Sequence, residues 1–198
     1  MAISILALSS CSGTGSSIAG SSTANPVIPT IPNGGGVVTA NPFDQLTKNS
    51  QYSQIDCTND QATNNSSKAY LIIESSTDLR VEIDSFMTLN CNSNLISTQI
   101  TKYRITTIAP DVVDNSYSAI ATALRDIELV FYDNNITTGL SQNLFFGYSD
   151  WTQTVPKSIA CKKADTNSAR QPCAGEGYLL RTKILPNDKI SVNGRIFE

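Results

Sequence analysis

Histidine is absent from this chain of 198 residues. Without an imidazole there is no Ser-His-Asp or Cys-His catalysis, no helical zinc-protease motif, no histidine metal site and no histidine pH switch. Charge is missing from one end: no Asp, Glu, Lys or Arg occurs between Met1 and Asp44. Past the N-terminus, no apolar run approaches the ~18 residues that would suggest a transmembrane helix. No internal repeat is visible at any period. The net charge of −3 is too small to name a partner. Its distribution is uneven, since residues 157–198 sum to +4 and the remainder to −7. Such asymmetry can face a polyanion, but it is more commonly the scatter of a solvated surface, and nucleic acid is not an expected partner.

What is present begins with Met1-Ala2-Ile3-Ser4-Ile5-Leu6-Ala7-Leu8, apolar except for Ser4, followed at once by Ser9, Ser10 and Cys11. An apolar run ending in small residues suits the export machinery, whose peptidase threads the cleavage site through a narrow active site. Leu8-Ser9-Ser10-Cys11 resembles the lipobox of bacterial lipoproteins: an aliphatic residue, two small residues, then cysteine. The resemblance rests on these four residues and the apolar run before them. It implies that residues 1–10 are removed and that Cys11 becomes an acylated N-terminus. Two or more acyl chains anchor firmly, because each buried methylene contributes ~0.8 kcal/mol and one chain alone is marginal. Ser12, where an Asp would be the usual retention signal, resembles lipoproteins sent on to an outer membrane. No Lys or Arg precedes the apolar run, so the true start is expected upstream of Met1.

Residues 12–42 are rich in Ser, Gly, Thr and Pro, with Pro26, Pro29, Pro32, Gly34-Gly35-Gly36 and Pro42. Such a stretch cannot bury enough apolar surface to offset its conformational entropy, so 11–42 is expected to be a lipidated cysteine followed by a disordered tether. A coil of this length has a root-mean-square span of ~30 Å. The alternative is that 27–39 adds an edge strand, as Val37-Val38-Thr39 allows. The folded domain is expected over 43–198.

Cys57, Cys91, Cys161 and Cys173 remain once Cys11 is given to lipid. An even number in an exported chain points to two disulfides, with three possible connectivities. The expected pairing is Cys57–Cys91 and Cys161–Cys173. Metal is disfavoured, since no pair has zinc-knuckle spacing and no histidine could complete a set. No cofactor is expected.

From Tyr52 onward the apolar period is mostly two. Leu79–Asp84 and Asp126–Leu129 alternate, the latter running on through Val130-Phe131-Tyr132. Ala69–Ile73, Phe86–Cys91, Gln99–Thr106, Asn143–Ser149, Tyr178–Ile184 and Lys189–Ile196 are further strands. Turn clusters at Thr58–Ser67, Ser75–Asp78, Asp133–Asn135 and Pro186–Asp188 separate them. The fold class is therefore all-β, an antiparallel β-sandwich of eight or nine short strands. Ser116–Asp126 breaks the pattern, with Tyr117, Ile120, Ala121 and Leu124 at helical spacing, and is expected to be the one short helix, N-capped by Asn115 or Ser116.

The densest aromatic stretch is Phe145-Phe146-Gly147-Tyr148-Ser149-Asp150-Trp151. If exposed, Tyr148 and Trp151 could stack on a sugar while Asp150 and Asn143 meet its hydroxyls; a lone Trp in a sandwich more often lies in the core. Between Cys161 and Cys173, the basic loop carrying Lys162, Lys163 and Arg170 is the other candidate, because pinned loops on rigid scaffolds often carry recognition. Asp111, Asp114 and Asn115, or Asp133 with Asn134 and Asn135, lack EF-hand spacing and suit turns on backbone grounds. Catalysis would need carboxylates or a Ser–Lys pair assembled by folding, and nothing in the spacing suggests it. The expectation is a non-catalytic envelope lipoprotein, held to the membrane by its anchor, contacting envelope proteins or, alternatively, a surface glycan.

Overall fold

The computed structural model describes residues 41–46 and 50–198. Cys11, the leader over 1–10 and almost all of the tether lie outside the described residues. Asn41 and Pro42, the last two positions assigned to that tether, belong to the folded unit. Pro42–Gln45 is a 3-10 turn capped by Asn41, whose side chain accepts from Phe43 N–H and whose carbonyl accepts from Asp44 N–H. Asn41 also donates to Ser76 O at 2.9 Å. Phe43 is fully buried, so this turn plugs one end of the core.

The domain is all-β and antiparallel, with a single short α-helix. Its strands are β1 (Gln51–Ser53), β2 (Thr58–Asp60), β3 (Asn65–Ile73), β4 (Asp78–Phe86), β5 (Leu95–Pro110), β6 (Ser118–Phe131), β7 (Lys157–Ser158), β8 (Gly177–Leu185), β9 (Lys189–Val192) and β10 (Arg195–Phe197). They form one sheet in the order β1-β3-β4-β5-β6-β8-β9-β10, with β2 beside β3 and β7 beside β6. The sheet also meets itself. Ser53 and Glu198 exchange backbone hydrogen bonds of 2.8 and 3.0 Å, and Ile55 N–H donates to Ile196 O. Gln54 bridges Phe197 at the same junction. The sandwich-like cross-section thus comes from one sheet curled until its ends touch, which pairs its two end strands with each other.

Inside the curl, Phe43, Leu71, Ile73, Leu79, Ile120, Ile190 and Phe197 form one core. A second core gathers Leu124, Ile127, Leu129, Phe131, Phe146, Trp151 and Ile159 under the far half of β6. Tyr103 packs against both.

Five local assignments from sequence are corrected. Ser116–Asp126 is not a helix; most of it is the first half of β6. Its inward residues are Ile120, Thr122 and Leu124, then Ile127, Leu129 and Phe131. Parity changes because Tyr103 pairs Leu124 while Lys102 pairs Asp126, leaving Arg125 as the extra residue of a bulge. The helix, α1, is Asn134–Gln142, where a turn was expected. Asp133 caps it by accepting from Asn135 and Ile136 N–H. Its composition is poor for a helix, and packing of Ile136 and Leu140 against the second core decides the matter. The other three corrections shorten, remove or divide strands. Phe86–Cys91 ends as a strand at Phe86 and turns at Leu89–Cys91. Asn143–Ser149 holds a 3-10 turn, Phe145–Gly147, rather than a strand. Lys189–Ile196, read as one run, is the hairpin β9–β10, folded at Asn193-Gly194 with φ of 50° and 83°.

Candidate functional site

The two candidate segments come together at the far end of β6. After Phe131 the chain passes through α1 and reverses at Leu144, Phe146 and Gly147, all with positive φ. Phe146 fills the second core and its N–H donates to Ala164 O, which docks the Cys161–Cys173 loop onto this turn. Trp151 is 5% exposed. Its Nε1–H donates to Phe145 O at 2.9 Å, and its ring meets Phe131 and Tyr148 edge-on with centroids 5.3 and 5.6 Å away. Trp151 is therefore a core residue and offers no stacking face to a sugar.

Tyr148 is the hinge of the cluster. Its hydroxyl donates to Ser158 O at 2.7 Å, fixing the ring across β7. Two ammonium groups then sit near the ring centroid, Lys157 Nζ at 4.8 Å and Lys162 Nζ at 4.5 Å. Lys157 also pairs with Asp150 at 2.9 Å. The structure thus unites Tyr148, Asp150, Trp151 and Lys162, and adds Lys157. No local pattern marks Lys157, because only the return of the chain through β7 brings it here.

Both disulfides have the expected partners: Cys57–Cys91 with Cα atoms 5.9 Å apart, and Cys161–Cys173 with Cα atoms 4.2 Å apart. Within the second loop, Lys163 and Arg170 form an antiparallel bridge, and Gln171 N–H donates to Lys162 O at 2.8 Å. Asp165 closes the tip by accepting from Asn167 and Ser168 N–H. Hydrogen bonding from Ser168 and Asn167 holds its carboxyl below the ordinary aspartate range. Arg170 is turned inward to the disulfide: Nη2 pairs with Glu176 at 3.0 Å and Nη1 contacts both sulfurs. Of the three basic residues expected here, Lys162 is half-buried while Arg170 and Lys163 are exposed, and Lys163 lines a shallow groove of about 300 Å³ with Leu144, Gly147, Ala164, Asp165 and Thr166.

Two polar arrangements elsewhere bear on chemistry. Ser158 Oγ donates to Asp126 at 2.5 Å, and Lys102 pairs with Glu128 at 2.7 Å. Asp126 and Glu128, both on β6, are thus engaged by neighbouring side chains. Asp84 accepts from Thr98 Oγ at 2.6 Å, and Thr98 meets Tyr132 OH at 3.1 Å. Burial raises the Asp84 carboxyl above its ordinary value, the Thr98 bond opposing in part. Asp111 and Asp114 act as turn residues, and Asp133 as a helix cap. Among the described residues, no three His, Cys, Asp or Glu side chains are placed to hold a metal ion, and no helix is long and apolar enough to cross a membrane.

The sequence matches no protein-family model and no curated protein. What is established from geometry is a disulfide-bonded β domain carrying a pinned basic loop against an aromatic cluster.

Proposed function

We propose that this chain is a bacterial cell-envelope lipoprotein, anchored through acyl groups on Cys11, whose β domain serves a non-catalytic structural or protein-interaction role. The observation that carries this reading is the pairing of Cys57 with Cys91 and of Cys161 with Cys173, which uses every cysteine except Cys11. Two surface disulfides belong to an oxidising compartment. A lone remaining cysteine at the end of an apolar run is the residue that a lipobox would modify. On the domain, the Cys161–Cys173 loop supplies the recognition surface, with Lys163 and the groove beside Leu144 turned outward and Tyr148, Lys157 and Lys162 supporting it from behind. The burial of Trp151 argues against an aromatic sugar platform.

The test is the intact mass of the protein extracted from native membranes, before and after reduction and alkylation. A chain beginning at acylated Cys11, with four thiols alkylated only after reduction, is the expected result. A chain that retains Met1 and has free thiols would overturn the reading.

A further inference from the structure

The β5–β6 hairpin ends in a loop, Asp111–Tyr117, closed by the Pro110–Ser118 pair. At its tip stand two adjacent valines in open solvent, Val112 at 98% and Val113 at 84% exposure. The tip is rigidly held. Asp111 accepts from Val113 and Asp114 N–H at 2.9 Å, and Asp111 N–H donates to Tyr117 O at 3.0 Å. Arg181 of β8 clamps Asp111 at 2.7 Å and lies over the Tyr117 ring, 4.6 Å from its centroid. Lys183 donates to Ser116 and lies 5.2 Å from the same ring centroid. Two fully exposed apolar side chains on a pre-ordered loop, backed by an aromatic ring and two cations, have the composition of a membrane-interface contact.

Position supplies the occupant. Asn41, where the described domain begins, is tied to Ser76 O in the β3–β4 turn. Thr77 O of that turn accepts from Ile105 N–H, and β5 runs on from there to the valine tip. The chain from Cys11 therefore enters the domain at the end from which the hairpin projects. Only 29 residues separate Cys11 from Asn41. We infer that Val112 and Val113 enter the lipid interface beside the anchor and set the orientation of the domain on the membrane. This rests on the anchored reading above. The charges at the tip balance, Asp111 and Asp114 against Arg181 and Lys183, so the contact is with the apolar edge of the bilayer and does not need anionic headgroups.

The test couples the full, disulfide-intact chain through its Cys11 thiol to maleimide-bearing phosphatidylethanolamine in phosphatidylcholine vesicles brominated near the headgroup. Val113→Trp places a fluorophore at the tip, while the buried Trp151 reports that the fold is intact. The expected result is bromine quenching of the Val113→Trp chain at low and high salt alike, with none in the unsubstituted chain. Adding Val112→Asp should reduce the inserted fraction ~10-fold, the loss expected for one valine no longer buried. An unquenched tip, or quenching indifferent to Val112→Asp, would overturn the inference, as would a blue shift without quenching, which signals contact between copies. Because the assay supplies its own anchor, a native chain lacking acyl groups would sink the proposed function alone, and a dry tip on an acylated protein would sink this inference alone.

Discussion

Removing the two disulfides one at a time should cost different amounts, in an order set by loop size. Cys57–Cys91 closes a separation of 34 residues and Cys161–Cys173 one of 12. In the chain-entropy account, the first restricts the unfolded chain by about 4 kcal/mol and the second by about 3 kcal/mol. Native packing should disturb this order little, because neither bridge lies in a core. Cys57 leads into β2, whose three residues are all exposed, and Cys161 is itself exposed. Nearby hydrogen bonds survive either change, among them Asn90 N–H to Asn59 and Phe146 N–H to Ala164 O.

The assay is urea unfolding of Cys57→Ala/Cys91→Ala and Cys161→Ala/Cys173→Ala beside the parent. Both variants should lose stability, the first by about 1 kcal/mol more than the second. Both should also show a larger m-value, since the released chain expands and exposes more surface. A greater loss from the shorter loop, or m-values that do not move, would refute an unfolded-state origin and place the stabilisation in native contacts around Arg170 and Glu176.

Phe43→Ala should cost ~3–5 kcal/mol, the range for a buried Phe, and thermal unfolding of this variant checks whether residues 41–46 belong to the core. Asp84→Asn should stabilise the protein at neutral pH. Burial raises the native Asp84 pKa, so its contribution is favourable below the unfolded value near ~4 and is lost as pH rises through the native one; the gain from Asn should vanish in acid unfolding curves below ~pH 4. Tyr178 is pushed up to about 12, first by burial and then by Glu176. Its contribution holds below ~pH 10 and falls as pH rises toward 12, so an alkaline stability titration of Tyr178→Phe should lack that loss. Deleting Glu128, a paired ladder residue, should unfold the domain or abolish cooperativity in calorimetry, because it would turn Leu129 and Phe131 outward or force the β5–β6 register to slip. Deleting the bulged Arg125 should not, since Ile127, Leu129 and Phe131 then still face inward.

The candidate site was half legible. Residues 145–151 and 161–173 each stood out by composition, and of the three connectivities that cysteine arithmetic allows, the favoured one is formed. Their meeting did not, because it depends on Phe146 N–H reaching Ala164 O and on the Tyr148 hydroxyl reaching Ser158 O. Nor could composition tell which cations are free. Arg170 looks like Lys163 in sequence, yet its guanidinium is drawn back to Glu176 and the sulfurs.

Alternation was legible wherever the inward positions of a strand are all apolar, as in Leu79–Asp84, and it misled where an inward position is polar or where a turn interrupts an apolar run. In the first half of β6 the inward Thr122 is polar while Ala121, half-buried on the other face, is apolar, so Tyr117, Ile120, Ala121 and Leu124 imitate helical spacing. The second half, where Ile127, Leu129 and Phe131 are both inward and apolar, was legible as a strand from its alternation. One fourteen-residue strand lines the first core with Ile120 and the second with Leu129, so it serves both halves of the domain.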